Sequence, residues 1–414
     1  MTTLPDLTRA FARIGILSFG GPAAQIALMH RELVDEKKWV TEEEYLSALS
    51  FCMLLPGPEA MQLATWIGWR KHGTIGGLIA GGLFVLPGAA IVLALSMIYA
   101  AWGDIPLVAA LFTGIQAAVL AVVIEALLRV SKRALKSRAQ WIIAALAFTA
   151  LFAFAAPFPA VILAAGAWGF FTATPPRTTA PTTAAPWAET LKATAIWAAV
   201  WLIPLALILL FAPPILAEIA LFFSKLAVLT FGGAYAVLTW MAQDVVQQKQ
   251  WLTLPQMIDG LGLAETTPGP LILVTEFVGY LAAVKQGIPM ALAAAAITLW
   301  MTFAPCFLWV FAGAPWIARL THAPRLSQAL QAITAAVVGT IANLSLWFAA
   351  HVIFAAVSTV SFGPLHLIAP DLTSLKLLPT ALALIAAYLL LRRHWPLPAV
   401  LALCAISSAA VAAF

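Results

Sequence analysis

The sequence predicts an all-α polytopic membrane protein: about 13 transmembrane helices in two homologous halves of inverted topology, with helices broken at FGG and PGP motifs. Three observations carry that prediction. The 414 residues are 63% hydrophobic and only 9% charged, with a mean hydropathy of +0.98, whereas a soluble chain carries about 25% charged residues. Residues 73–103 contain no charge at all, and a run of that length spans a hydrocarbon core of about 30 Å. Finally, three motifs recur in one order at one offset of 212 residues. LSFGGPAAQ from Leu17 answers to LTFGGAYAV from Leu229, KKWVT from Lys37 to KQWLT from Lys249, and LLPGPE from Leu54 to TTPGPL from Thr266. Shared order and spacing mark an internal duplication. The alternating strands of a membrane barrel are not apparent.

Hydropathy places the first-half segments near 8–30, 46–69, 76–101, 105–128, 140–156 and 158–173. Residues 1–173 form the N-terminal repeat. A stretch rich in Pro, Thr and Ala follows, 174–192, which reads as a linker. Residues 193–414 hold an extra helix at 193–212 and the second repeat, with segments near 216–241, 257–281, 287–312, 328–350, 376–391 and 396–413. The duplication persists through FVLP (Phe84) against TFAP (Thr302), now at offset 218. Thr41 with Glu44, and Thr253 with Gln256, have capping-box spacing and mark where the next helix starts.

Positive charge sets the expected orientation. With the N-terminus cytoplasmic, five of the 22 Lys and Arg fall outside (Arg31, Lys37, Lys38, Lys285 and Lys376), Lys225 lies within a segment, and the rest fall inside. Seven segments, an odd number, precede the one that carries the second FGG motif, so the repeats enter from opposite sides. That is the pattern of inverted repeats in secondary transporters.

Pro-Gly-Pro in mid-segment interrupts a helix, because Pro56 and Pro58, like Pro268 and Pro270, lack an N–H, while Gly57 and Gly269 free the backbone. A packing kink is the plainer reading of one such motif; its duplication favours a broken helix. Gly20 and Gly21, with Gly232 and Gly233, permit either a chain break or close helix packing. A half-helix that begins there presents unpaired N–H groups and a positive dipole end, which suits an anion. Ser18, Thr230, Thr266 and Thr267 stand beside the motifs as candidate hydroxyl donors. Arg13 and Lys225 obey the same offset, six residues before their FGG motifs. A cation within a membrane segment points to function, although Arg13 has the alternative of snorkelling to the interface. Lys225 reads as the deeper of the two.

For ion coupling the acidic candidates are Glu59, Glu265 and Glu276, close to the PGP motifs. Glu125 with Arg129 reads as an ordinary i,i+4 pair, and Asp259 as lying near an interface. Cys52, Cys306 and Cys404 are isolated, and the six histidines are scattered, so neither a disulfide framework nor a metal or haem site is expected. No phosphate-binding loop appears. The chain therefore reads as a transporter without cofactor, metal or catalytic residues, and not as an enzyme. Its partners are a small anion and membrane lipid, not nucleic acid, and a homodimer is compatible with the sequence. The N-terminus has no signal-peptide order and is expected to be retained.

The residues quoted above resemble the chromate ion transporter family. SFGGPAAQIALMHRELVDEKKWVTEEEYLSALSFCMLLPGPEAMQLATWIGWRKHGTIGGLIAGGLFVLPG, from Ser18, is similar to that family's N-terminal signature, and KLAVLTFGGAYAVLTWMAQDVVQQKQWL with ETTPGPL to its C-terminal copy. The resemblance covers nearly the whole chain. It implies a two-domain exporter of chromate, driven by an ion gradient across the bacterial inner membrane and conferring chromate resistance. The sequence departs from the family at Gln25, where many members carry His, and after Gly233, where Pro is missing. Sulfate, with chromate's shape and charge, is the alternative substrate, and an uncoupled anion channel the alternative mechanism.

Overall fold

A computed structural model of the chain describes residues 2–19, 21–103, 105–173, 187–231, 234–317 and 323–413. Among the described residues there are sixteen α-helices. In the first half they are α1 (Leu4–Leu17), α2 (Gly21–His30), α3 (Glu42–Cys52), α4 (Glu59–Trp102), α5 (Pro106–Ala134), α6 (Arg138–Phe154) and α7 (Phe158–Thr172). Helix α8 (Trp187–Phe211) begins inside the stretch read as a linker, of which residues 174–186 lie outside the described residues. The second half holds α9 (Pro214–Leu229), α10 (Ala234–Gln243), α11 (Leu254–Thr266), α12 (Val274–Ala283), α13 (Ile288–Gly313), α14 (Pro324–Ile353), α15 (Leu377–Leu391) and α16 (Leu397–Ala412). The helical class is as expected, with one departure. Residues Val357–Phe362 and Leu365–Pro370 form an antiparallel hairpin between α14 and α15. Its β-branched, alternating VSTVSF has strand character, which a hydropathy scan passes over.

Local chemistry repeats wherever the sequence repeats. Thr41 and Thr253 each close a capping box, with Glu44 and Gln256 at the third helical position. Helices α2 and α10 both end in a π-helical turn, Arg31–Glu36 and Asp244–Gln248. Lys38 and Gln250, equivalent residues, both take positive φ, 51° and 53°. Lys37 lies over the Trp39 ring and Lys249 over Trp251. Both cation–π contacts lie within the loop that leads to the next helix, between residues two apart.

The segments expected to cross at 8–30 and 46–69 each fold back on themselves. Arg13 and Glu32 lie 3.5 Å apart, although 19 residues of continuous helix would separate them by about 28 Å. Glu44 and Arg70 are 3.3 Å apart. Lys37 and Lys38, expected outside, line one cavity with Arg9, Arg13 and Lys71, expected inside. Each segment therefore dips in, breaks, and returns to its starting face. The second repeat behaves alike, with Lys249 3.4 Å from Glu218. A further reversal splits α4 at His72 and Gly73, whose φ of 60° and ψ of −152° leave the helical region. The structure does not confirm the sequence-based count of 13, because hydropathy measures how apolar a segment is, not whether its far end emerges. Among the described residues five helices (α4, α5, α8, α13 with the turn after it, and α14) are long and apolar enough to cross a membrane, and α6, α7, α15 and α16 are shorter apolar helices. This is a multi-pass membrane protein.

The two halves exchange partners in their packing. Helices α6 and α7 of the first repeat pack on α14 of the second, while α15 and α16 of the second pack on α5 of the first. Small residues allow the close approach: a side chain at Gly114 would run into the main chain of Cys404 on α16, and one at Gly339 into that of α6. Helix α8 packs against α13 and α9 at the periphery, with Trp201 its one buried residue.

Candidate functional site

Both FGG motifs interrupt a helix. Helix α1 stops at Leu17 with Ser18 as its cap, and α2 resumes at Gly21, whose φ is 76°. Helix α9 stops at Leu229 with Thr230 as cap, and α10 starts at Ala234. Gly20, Gly232 and Gly233 lie outside the described residues. The hydroxyls of Ser18 and Thr230 are buried and already committed: each donates to the carbonyl four residues back, Ile14 at 2.5 Å and Leu226 at 2.6 Å. This back-bonding closes the last turn of each helix. Thr266 and Thr267 likewise donate to Leu263 and Ala264. None of the four hydroxyls is thus a spare donor in this conformation.

Both PGP motifs interrupt a helix too, and each reaches across to the other repeat. The N–H of Gly57 donates to the Thr230 carbonyl at 2.8 Å, and that of Gly269 to the Ser18 carbonyl at 2.9 Å. Gly57 has φ 123° and Gly269 φ 91°, conformations that a side chain resists. The pairing is reciprocal, because residue 57 corresponds to 269 and 18 to 230. Reciprocity of this kind is the mark of a two-fold relation between the contacting units. The prolines complete the packing. Gly88, after Pro87 on α4, lies against Pro268 and Gly269, and its counterpart Cys306, after Pro305 on α13, lies against Gly57. Pro56, Gly57, Pro58, Thr267, Pro268, Gly269 and Pro270 are all buried, so the crossing is closed on both sides.

Two glutamines tie the crossing together. Gln25 donates to the carbonyls of Gly269 at 2.6 Å and Ser18 at 3.2 Å. Gln62, in the first turn of α4, donates to Pro56 at 2.7 Å. The Oε1 atom of each is buried without a partner among the described residues, which an internal polar group tolerates poorly. Sequence inspection flagged Gln25 as a departure from the family but passed over Gln62. Around the crossing, α2 and α4 start immediately after a break, while a 3-10 turn at Leu271–Leu273 leads from the second PGP motif into α12; the first N–H groups of a helix lack intrahelical acceptors and form its positive dipole end.

The cations lie elsewhere. Arg13 is largely exposed and pairs with Glu32, itself buried. Lys225 is exposed at the protein surface. Its field acts on Asp244, the residue equivalent to Glu32; burial pushes the Asp244 carboxyl above the usual carboxylate range, with Lys249 and Lys225 opposing. Arg13 instead lines a cavity of about 930 Å³ with Asp6, Arg9, Lys37, Lys38 and Lys71. Five cations and one acid make a strongly positive mouth at the N-terminal face. On the second repeat a cavity of about 970 Å³ is lined by Asp244, Lys249, His351 and His366 among others, without that excess of charge.

The acidic candidates separate. Glu59 opens α4, where a carboxylate complements the helix dipole. Glu265, near the end of α11, lines a cavity of about 230 Å³ with Glu125, Arg129 and His394. Glu276 is buried in the first turn of α12, and its Oε2 has no partner among the described residues. Asp259, expected near an interface, is instead buried and accepts hydrogen bonds from Tyr99 at 2.7 Å and Gln116 at 2.9 Å. Nothing local in the sequence linked those three residues. Among the described residues no group of His, Cys, Asp and Glu could hold a metal ion.

Comparison with known sequences decides the family. The model of the family described as "Chromate transporter" matches residues 5–170 and 217–409, one stretch for each repeat. The chain belongs to the chromate transporter family. Among its relatives, the chromate transport protein of Cupriavidus metallidurans is 31% identical over 347 residues, covering 82% of this chain and 81% of that one. The chromate transport protein of Pseudomonas aeruginosa is 34% identical over 343 residues, covering 81% and 79%. A probable chromate transport protein of Synechococcus elongatus is 32% identical over 348 residues, covering 82% and 83%. No solved structure matches. In this member of the family, α8 falls in the gap between the two matched stretches, which fits its peripheral place in the fold.

Proposed function

We propose that the chain is a secondary active exporter of chromate, working from the cytoplasm across the bacterial inner membrane by alternating access and giving chromate resistance. The observation that carries this reading is the reciprocal pair of bonds at the crossing, Gly57 to Thr230 and Gly269 to Ser18. Inverted-repeat transporters place their substrate where broken helices from two repeats meet, with half-helix N-termini facing an anionic group. Here the substrate oxygens would take the first-turn N–H groups around Gly20 and Gly21, Pro56 to Pro58, Gly232 and Gly233, and Thr267 to Pro270, once the crossed bonds open. Arg13 and Lys225 would attract the dianion at longer range, one at each mouth.

Chain order supports inversion. The two N-terminal hairpins return to their own face, and the second part of α4, then α5, α6, α7 and α8, precede α9. Five passes is odd, so α9 starts on the opposite face; if α6 and α7 turn back as a pair, the parity is unchanged. On that path every described Lys and Arg except Lys225, Lys249, Lys285 and Lys376 belongs to the N-terminal face, a stronger bias than the sequence alone suggested, and positive charge marks the cytoplasmic side. The strongly basic cavity then faces the cytoplasm, where an exporter collects its anion.

The experiment is radiolabelled chromate uptake into energised everted vesicles, with sulfate competition and an uncoupler. Uptake abolished by uncoupler is expected. Uptake that ignores the uncoupler means an uncoupled channel, and uptake displaced by equimolar sulfate means that sulfate is an equal substrate.

A further inference from the structure

The two repeats match in their breaks, caps and π turns, and in the acid pair Glu32 and Asp244, but not in the buried acids of α11 and α12. Asp259 corresponds to Ser47, and Glu276 to Ala64; the partners of Asp259 diverge as well, Tyr99 corresponding to Ile317 and Gln116 to Thr334. A two-fold scaffold that places an acid, a phenol and an amide together in one half only has added something the scaffold itself does not need. Asp259 is 3% exposed, and both its oxygens are occupied by neutral donors, Tyr99 from α4 and Gln116 from α5. No cation faces it among the described residues. Among the ionisable groups on the elements packed against it, Tyr99 on α4 touches it, Glu276 lies on α12, and Glu125 and Arg129 on α5 pair with each other.

Its position along α11 is equally specific. Leu254, at one end of that helix, lines the large cavity of the second repeat, and Glu265, at the other, lines the small cavity with Glu125, Arg129 and His394. Asp259 sits between, about 8 Å from one end and about 9 Å from the other at 1.5 Å per residue. The Tyr99 ring also packs on Phe277, the neighbour of Glu276, with centroids 5.3 Å apart. Asp259 is thus placed between two polar cavities, beside the helix pair that carries the second PGP motif.

We propose that Asp259 is the proton-carrying site of the transport cycle, loaded from one cavity and discharged to the other as α11 and α12 move. The proposal rests on the transporter reading above. A metal ion is the wrong occupant, because alkali and alkaline-earth cations need several oxygen ligands and Asp259 is met by two donors. An unpaired buried carboxylate is costly as an anion, and taking up a proton removes that cost. Protonation would change what Tyr99 and Gln116 can donate to, and so the contact between α11 and its neighbours α4 and α5. No covalent step is needed; one proton enters and one leaves.

The test uses the purified full chain in proteoliposomes, with two chromate assays and one spectroscopic assay. Asp259→Asn is expected to keep chromate counterflow, which needs no gradient, but to lose accumulation driven by an imposed pH gradient by at least about ten-fold. Asp259→Glu should restore part of it. Undiminished gradient-driven accumulation by Asp259→Asn overturns the proposal. If the wild-type protein shows no chromate counterflow, the substrate reading fails instead, and infrared spectroscopy then decides the proton site by itself. A carboxylic-acid band that titrates in the wild type and is missing from Asp259→Asn supports the assignment, and its persistence in the variant overturns it. Tyr99→Phe should displace the pH at which that band titrates, which a merely structural tyrosine would not do.

Discussion

The main-chain N–H of Gly57 donates to the carbonyl of Thr230 at 2.8 Å, and the equivalent bond from Gly269 to Ser18 measures 2.9 Å. Each repeat thus closes the broken helix of the other. The bonds join a helix break to a helix end, two groups that would otherwise be unpaired in an apolar interior. Opening the centre requires both bonds to be exchanged for another partner, and an anion with several oxygens is such a partner.

Gly57→Ala tests that arrangement. The substitution forces a side chain into φ 123°, and its Cβ would lie 2.8 Å from both Cys306 Sγ and Gln62 Nε2. A left-handed non-glycine residue costs about 1–3 kcal/mol, so the protein should still fold while chromate transport falls at least about ten-fold. Adding Cys306→Ala relieves one contact and not the dihedral, so recovery should be partial. Full transport by the single variant would show that the break is only a kink.

Charge in the basic cavity should act on capture rather than turnover. Replacing Arg9, Lys37 and Lys38 by Gln removes three of its cations. Because attraction across a solvent-filled mouth is long-range and screened by salt, the apparent KM for chromate should rise several-fold and kcat stay nearly constant. The salt dependence of uptake should flatten in the variant. A fall in kcat with unchanged KM would place these cations in the transport step itself.

Side-specific labelling tests the returning hairpins. The native Cys52, Cys306 and Cys404 are buried, so background reaction with a membrane-impermeant maleimide should be small. Cysteine at Lys38 and at Lys71 should react from one and the same side, and cysteine at Lys249 from the other. Labelling of positions 38 and 71 from opposite sides would restore the crossing segments; labelling of 38 and 249 from one side would remove the inversion.

The capping box at Thr41 predicts a pH dependence of stability. The N–H of Thr41 is the main influence holding the Glu44 carboxyl below the usual range, with Arg70 assisting. A carboxyl depressed in the folded state contributes stability that is complete above its unfolded value, about pH 4.3, and is lost as the pH falls through its folded value. The Glu44 side chain is 38% exposed, so water screens the Arg70 contact and the cap is the main contribution, about 1 kcal/mol. Thermal unfolding in detergent should show Glu44→Ala lowering Tm at pH 7, with the gap to the wild type closing as the pH falls through the range in which Glu44 takes up its proton.

Much of this protein was legible in one dimension, and the legible part has a common physical basis. Membrane residence follows from composition. The breaks at FGG and PGP follow from missing N–H groups and from glycine at positive φ, and the starts of α3 and α11 from Thr with Glu or Gln three residues on. All of these are interactions within a few residues of chain. Duplication doubled each signal, which is why the repeats were recognisable at an offset of 212.

Tertiary structure alone decided which groups meet. It turned the segments at 8–30 and 46–69 back on themselves, brought Lys37 and Lys38 beside Arg9 and Arg13, and set Lys225 at the surface. It gave Asp259 its partners Tyr99 and Gln116, 160 and 143 positions away, and joined Gln25 to Gly269 across 244. The reason is that hydropathy and helix-breaking chemistry fix where a chain dips and bends, while the face it returns to and the partner it finds there depend on how two intertwined repeats pack. A repeat carries its own broken ends in its sequence; the groups that satisfy them belong to the other repeat.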